Sequence, residues 1–171
     1  MFDVIVIGGN LAGASAAINA AEKGINVALV ERHMEPFSPA HCGEGIADVT
    51  GELLELDKIN CPKNEINFVQ INVSTFKEYL FKLKTHKIFI IDRNYLEKRL
   101  LEKAREKGVK LILGVGMKDF KPPNDVILDN EEKISGKVIV DASGIACQIG
   151  RRIGLNTRLK PEDIGVCIQS R

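Results

Sequence analysis

Phe2-Asp3-Val4-Ile5-Val6-Ile7-Gly8-Gly9-Asn10-Leu11-Ala12-Gly13, followed 18 residues later by Glu31, is the stretch whose reading decides the fold. Phe2 to Ile7 is apolar and β-branched apart from Asp3, the pattern of a parallel strand covered on both faces. Gly8, Gly9 and Asn10 end it. From Leu11 the small-residue run Ala-Gly-Ala-Ser-Ala-Ala-Ile-Asn-Ala-Ala-Glu-Lys is strongly helix-forming, and Gly24 stands where a left-handed residue closes a helix. Asn26 to Val30 then reads as a second strand, so βαβ is complete within 31 residues.

This arrangement has a chemical reading. Gly8 permits a tight turn, and Gly13 lets the helix approach the sheet. The helix N-terminus presents N–H groups to a pyrophosphate, and the carboxylate of Glu31 can accept from ribose hydroxyls. Strand, glycine turn, small-residue helix, strand and acidic end occur together and in order, which a lone glycine motif does not guarantee. The expectation is a site for the ADP portion of a dinucleotide, FAD ahead of NAD, with Gly8, Gly9, Asn10, Ala12, Gly13, Glu31 and the adjacent Arg32 as cofactor-binding candidates. Asn10 departs from the pattern, because it stands at the middle glycine of G-x-G-x-x-G. A side chain there can crowd the pyrophosphate, although Asn tolerates a left-handed backbone better than most residues.

Working outward, residues 35 to 91 lack a simple βα rhythm. Pro36, Pro39, Gly43 and Gly45 mark a loop, Ile46 to Leu56 reads as a helix, and Phe68 to Val73 as a strand. Tyr79 to Leu83 and Lys87 to Ile91 suggest a hairpin. Alternation resumes with a helix over Tyr95 to Lys107, stopped by Gly108, and an apolar strand over Val109 to Val115. Asp125 to Leu128 and Lys133 to Ser135 read as a small antiparallel connection, and Val138 to Val140 as a further core strand ending at Asp141. The fold class expected is α/β: a Rossmann-like FAD-binding fold with a central parallel sheet and an antiparallel β insert, incomplete at its C-terminus. The corresponding division is a dinucleotide-binding domain over 1–155, with an inserted region at about 35–91, and the start of a substrate domain over 156–171.

The chain of 171 residues is 44% hydrophobic, enough to bury a core. Its 24 basic and 23 acidic side chains leave a net charge of +1, which gives no footprint for nucleic acid. Cys42, Cys61, Cys147 and Cys167 form no C-x-x-C pair and read as free cytosolic thiols. His33, His41 and His86 have no metal-ligand spacing, and no metal is expected. No stretch reaches the length of an apolar membrane span, so the expected location is the cytoplasm.

Between Phe37 and Ile46, above all at Cys42-Gly43-Glu44-Gly45-Ile46, the sequence resembles the FAD-dependent geranylgeranyl reductase family of archaea and photosynthetic organisms, which is related to the hydroxybenzoate-hydroxylase-like flavoproteins. The resemblance spans nearly the whole chain, through the N-terminal turn, Asp92-Arg93 before a helix, and Asp141-Ala142-Ser143-Gly144. It implies that Cys42, Gly43, Glu44 and Gly45 approach the isoalloxazine edge, and that Arg93 contacts the cofactor together with Ser143 and Gly144. Cys42 and Glu44 are the catalytic candidates, able to position or deliver a proton. Ser143 occupies the acidic position of the Ala-Asp-Gly found in related flavoproteins, and whether Asp141 compensates is left open.

The implied activity is reduction of carbon–carbon double bonds in a prenyl or isoprenoid-lipid substrate, and a lipid substrate brings with it peripheral membrane contact. A hydroxylase-like or halogenase-like flavoprotein and a noncatalytic dinucleotide-binding module remain as alternatives. The family continues beyond this length, so the apolar run Ile164 to Ile168 is expected to need cover from a second chain, self-association or further sequence. A fragment, a split subunit and a shortened protein all fit that expectation.

Overall fold

The computed structural model describes residues 1–35, 42–73, 77–83, 87–155 and 159–165. The chain divides into two compact units, Met1–Ser38 with Glu97–Ile168, and Pro39–Leu96 with Gln169–Arg171. The expectations for Pro36 to His41, for Lys84-Thr85-His86 and for most of the Ile164 to Ile168 run, Cys167 included, lie outside the described residues.

In chain order the first unit opens with β1 (Phe2–Ile7), α1 (Leu11–Ala21) and β2 (Val27–Glu31). The second unit contributes β3 (Gly45–Ala47), α2 (Asp48–Leu53), β4 (Lys63–Ile66), β5 (Phe68–Val73), β6 (Lys77–Lys82) and β7 (Ile88–Ile91). Helix α3 (Arg93–Glu106) leads back into the first unit, which ends with β8 (Lys110–Leu113), β9 (Met117–Lys121), β10 (Asp125–Leu128), β11 (Lys133–Asp141) and α4 (Gln148–Arg152).

The first unit is built on a six-stranded sheet in the order β8-β2-β1-β11-β10-β9. Strands β8, β2, β1 and β11 run parallel, and β10 and β9 extend the sheet antiparallel. Ile5, Val6 and Ile7 of β1 and all five residues of β2 are buried, as strands with both faces covered require. On one face Ile5, Ile7, Ala28 and Val30 join Phe120, Val126, Leu128, Ile134 and Ile149 in a single apolar cluster. Helix α1 packs on β1 and β2, and its buried stripe of Gly13, Ala14, Ala17 and Ile18 is mostly small, which allows that close approach. Gly24, at φ +77°, ends the helical turn in the left-handed region.

Strand β11 differs from the expectation of two short pieces. It is continuous, pairing antiparallel with β10 through Lys133 to Ser135 and parallel with β1 from Gly136 to Asp141. Gly136 sits at the changeover, where a Cβ would stand 2.8 Å from Ile5 Cγ1. Its lack of a side chain, which reads locally as a break, is what lets β11 lie against β1. Val138 is 54% exposed, so the segment expected to be core is only partly so. Strand β9 was not anticipated, because its buried residues, Met117 and Phe120, stand three apart across a shift in the register with β10, so no alternation shows among the charged residues.

In the second unit β3, β7 and β4 form a three-stranded antiparallel sheet, and β5 and β6 a separate two-stranded ribbon. The expected hairpin between Tyr79–Leu83 and Lys87–Ile91 is therefore corrected. Strand β6 pairs with β5, its preceding neighbour in sequence, and β7 pairs with β3 and β4 through non-local contacts. The expected helix over Ile46 to Leu56 is also shorter, running from Asp48 to Leu53 after Ile46 and Ala47 have paired with Phe89 and Ile88.

Candidate functional site

The turn after β1 is packed so tightly that its glycines are sterically required. Gly8 has φ +107°, and a Cβ there would lie 2.4 Å from the carbonyl oxygen of Ala142. A Cβ on Gly13 would lie 1.9 Å from the Gly8 carbonyl oxygen. Both obstacles are backbone, so neither can move aside cheaply. The turn is thereby clamped between the start of α1 and the end of β11.

Glu31 ends β2 beneath this turn, only 9% exposed. Its Oε2 accepts from the Gly9 N–H at 2.8 Å, and its Oε1 accepts from the His33 N–H at 2.9 Å. The His33 ring adds a second contact, Nδ1 lying 2.9 Å from Oε1. Two backbone donors thus hold the carboxylate beside the glycine turn, while each oxygen keeps acceptor capacity for a further hydroxyl. Nothing in the sequence alone shows that the His33 ring turns back on Glu31. Arg32 is exposed.

Asn10 is not left-handed. It has φ −72° and ψ −178° and is the N-cap of α1, its Oδ1 accepting from Ala12 N–H at 3.0 Å and Gly13 N–H at 3.1 Å. Its Nδ2 donates to the Ala142 carbonyl at 2.7 Å. The position thus uses the capping ability of the Asn side chain and not its tolerance of a left-handed backbone.

Beyond β11, Asp141 and Ser143 serve each other and α4. The Ser143 N–H and hydroxyl donate to Asp141 Oδ1 at 3.1 and 2.5 Å, and Ile149 and Gly150 N–H donate to Oδ2 at 2.8 and 3.2 Å. Ser143 Oγ accepts in turn from Gln148 N–H at 2.9 Å. Burial pushes the Asp141 carboxyl up, but the hydrogen bonds from Ser143, Gly150 and Ile149 outweigh it and hold the carboxyl below its ordinary value. Asp141 is therefore a saturated cap at the start of α4. Gly144, at φ +66°, is exposed.

The second unit holds the other candidates. Glu44 N–H donates to Cys42 Sγ at 3.3 Å, folding the Cys42-Gly43-Glu44 segment into a tight bend. Glu44 itself is at φ +58°, a conformation that a non-glycine residue adopts at a cost of about 1 kcal/mol or more. Its carbonyl accepts from Ile91 N–H at 3.0 Å, and Gly45 follows as the first residue of β3, opposite Ile90. Cys42 and Glu44 are half-buried, and a Cβ at Gly43 would meet nothing within 4 Å. Asp92 Oδ1 caps α3 by accepting from Tyr95 N–H at 2.9 Å, and Arg93, half-buried, is the first residue of that helix. The next residue, Asn94, has a buried Oδ1 with no hydrogen-bond partner among the described residues, an acceptor that sequence reading passed over.

Cys61 differs from Cys42. It is buried and donates to the Pro62 and Asp92 carbonyls, both at 3.7 Å. Burial, reinforced by the Asp92 carboxylate, pushes its thiol up. No cluster of metal-ligating side chains occurs among the described residues.

The parallel sheet, the clamped glycine turn and the buried acid at the end of β2 define a Rossmann-type dinucleotide-binding fold. The comparisons with known proteins make it an FAD-binding one, since residues 3–66 match the family model described as FAD binding domain. The chain is 27% identical to a digeranylgeranylglycerophospholipid reductase of Methanosarcina acetivorans, over 99% of this chain and 44% of the relative. It is 28% identical to a 1H-pyrrole-2-carbonyl-[peptidyl-carrier protein] chlorinase of Pseudomonas fluorescens, over 92% of this chain and 42% of that protein. Among solved structures, a geranylgeranyl bacteriochlorophyll reductase-like protein from Thermoplasma acidophilum superposes with a TM-score of 0.77 at 25% identity, covering 93% of this chain and 43% of the other. The chain thus resembles the N-terminal part of the geranylgeranyl reductase family, its cofactor is FAD, and it spans less than half the length of these relatives. The glycine turn and Glu31 suit the adenosine half of that cofactor, and Asn10 is the one element of the turn that does not suit its pyrophosphate.

Proposed function

We propose that this chain is the FAD-binding portion of a flavin-dependent reductase acting on the carbon–carbon double bonds of a prenyl or isoprenoid-lipid substrate. The observation that carries this reading is the similarity to digeranylgeranylglycerophospholipid reductases over 98–99% of the chain. When bound, the reduced flavin supplies the hydride. The chain's own groups do the rest. Glu31 accepts from the adenosine ribose, Arg93, Ser143 and Gly144 contact the cofactor, and Gly43 and Gly45 let backbone approach a flat ring. The division into a cofactor domain over 1–155, with its insert at about 35–91, and a substrate domain beginning at 156 belongs to the same proposal.

Cys42 and Glu44 are the proton-handling candidates. The strained backbone of Glu44 favours this role, because a carboxylate held at a conformational cost marks a position where the side chain matters more than local stability. A lipid substrate places the enzyme at a membrane surface, bound peripherally from the cytoplasm. No helix among the described residues is long and apolar enough to cross a membrane.

A second reading, a flavin-dependent halogenase or hydroxylase, is favoured by the likeness to the chlorinase. The fate of the electrons separates the two. The flavin-loaded protein, reduced anaerobically, is mixed with a geranylgeranyl lipid and the product is analysed by mass spectrometry. Added hydrogen pairs support the reductase. A flavin that stays reduced beside the prenyl substrate and is oxidised only on admitting oxygen, with no saturated product, sinks it.

A further inference from the structure

Rossmann turns hold a pyrophosphate on the free N–H groups of the first turn of their helix. In α1 the N–H groups of Leu11, Ala12 and Gly13 precede the first intrahelical bond, which runs from Ala14 N–H to the Asn10 carbonyl. Two of these three, Ala12 and Gly13, are already taken by Asn10 Oδ1. The carboxamide is fixed at its other end as well, through Nδ2 to the Ala142 carbonyl at 2.7 Å.

We propose that Asn10 is a resident occupant of the pyrophosphate seat, an internal ligand that the diphosphate of an incoming ADP-containing cofactor must displace. This rests on the FAD reading of the same turn. The side-chain oxygen stands in for a phosphate oxygen, so the turn is hydrogen-bonded and stable without a cofactor. A diphosphate that takes over Ala12 and Gly13 N–H gains charge-assisted bonds. It must first break two bonds to Oδ1 and one from Nδ2, and it leaves the Ala142 carbonyl to find another partner. A glycine at this position would leave the same donors to water, which gives them up readily. Asn10 therefore trades cofactor affinity for stability of the cofactor-free chain, and makes retention of the cofactor depend on contacts elsewhere along the dinucleotide.

The test uses the 171-residue chain and Asn10→Gly, with ADP and adenosine titrated calorimetrically into each. The extended backbone at Asn10 is open to any residue, and glycine is a tolerated N-cap. Asn10→Ala is run beside it as a second uncapped variant. Both variants should bind ADP about tenfold more tightly than the parent, the worth of a recovered hydrogen bond to a charged oxygen. Adenosine affinity should not change, and the melting temperature without ligand should fall. Asn10→Asp, which keeps the cap but sets a negative charge against the diphosphate, should bind ADP more weakly. Equal or weaker ADP binding by folded Asn10→Gly and Asn10→Ala overturns the proposal while leaving the FAD reading intact. So does a gain that is the same for adenosine. No ADP uptake by any of the chains overturns both.

Discussion

At the scale of single residues, the glycine turn and its acid set the sharpest expectations. Gly13→Ala would drive a Cβ into the Gly8 carbonyl oxygen, 1.9 Å away, and Gly8→Ala would combine a backbone clash at 2.4 Å with a φ of +107°. Each should cost about 3 kcal/mol or more, read as a fall in the denaturation midpoint. Glu31→Ala should be milder in packing but leaves the buried Gly9 N–H without its acceptor, a cost of about 1–3 kcal/mol. It should also weaken adenosine binding, which Asn10 variants should not. The two described thiols of the second unit should separate kinetically. Iodoacetamide at neutral pH should label half-buried Cys42 well before Cys61, whose thiol is buried and pushed up, as peptide mass mapping of a time course would show. Faster labelling of Cys61 would contradict this environment.

At the scale of elements, α4 depends on Asp141. The carboxylate accepts from Ile149 and Gly150 N–H and from Ser143, so Asp141→Ala should uncap the helix and cost about 2 kcal/mol. The carboxyl is held below its ordinary value of 3.8, and the sign follows from that. A group whose folded pKa lies below its unfolded one stabilises the fold fully above the unfolded value and loses that contribution as pH falls through the folded one. Melting temperature should therefore be insensitive to this group near neutrality and decline below about pH 4, and Asp141→Asn should flatten that part of the decline. An unchanged acid profile in Asp141→Asn would remove the carboxylate from the account.

At the scale of the whole molecule, stability should be uneven. The buried strands β1 and β2 lie inside a six-stranded sheet, whereas β5 and β6 form a separate two-stranded ribbon among the described residues, with Phe68, Ile71, Tyr79, Leu80 and Phe81 all about half exposed or more. A two-stranded ribbon is marginal by itself. Amide hydrogen exchange should find β5 and β6 among the least protected strands and β1 and β2 the most protected. FAD should raise the midpoint of the first unit by ligand linkage, and a ligand-independent midpoint would count against cofactor binding by this chain.

The sequence by itself determined the β1-α1-β2 unit, the glycine turn and the acid after it, because strand, turn and helix preferences there are local and agree with one another over 31 residues. Helix α3 and strands β5, β8 and β10 were legible in the same way, whereas tertiary structure alone decided how the strands pair and where close contacts fall. Strand β7 pairs with the distant β3 and β4 and not with its neighbour β6. Gly136 became a close contact with Ile5 instead of a break, and β9 was recruited although its sequence shows no alternation. The same holds within the site. That Asn10 occupies a position proper to glycine was plain from the sequence, but the direction its carboxamide takes was not. One of its three hydrogen bonds, from Nδ2, requires the Ala142 carbonyl, 132 residues away, to be brought beside the turn. Which donors a side chain claims depends on which backbone the fold places next to it, and the order of residues carries no record of that.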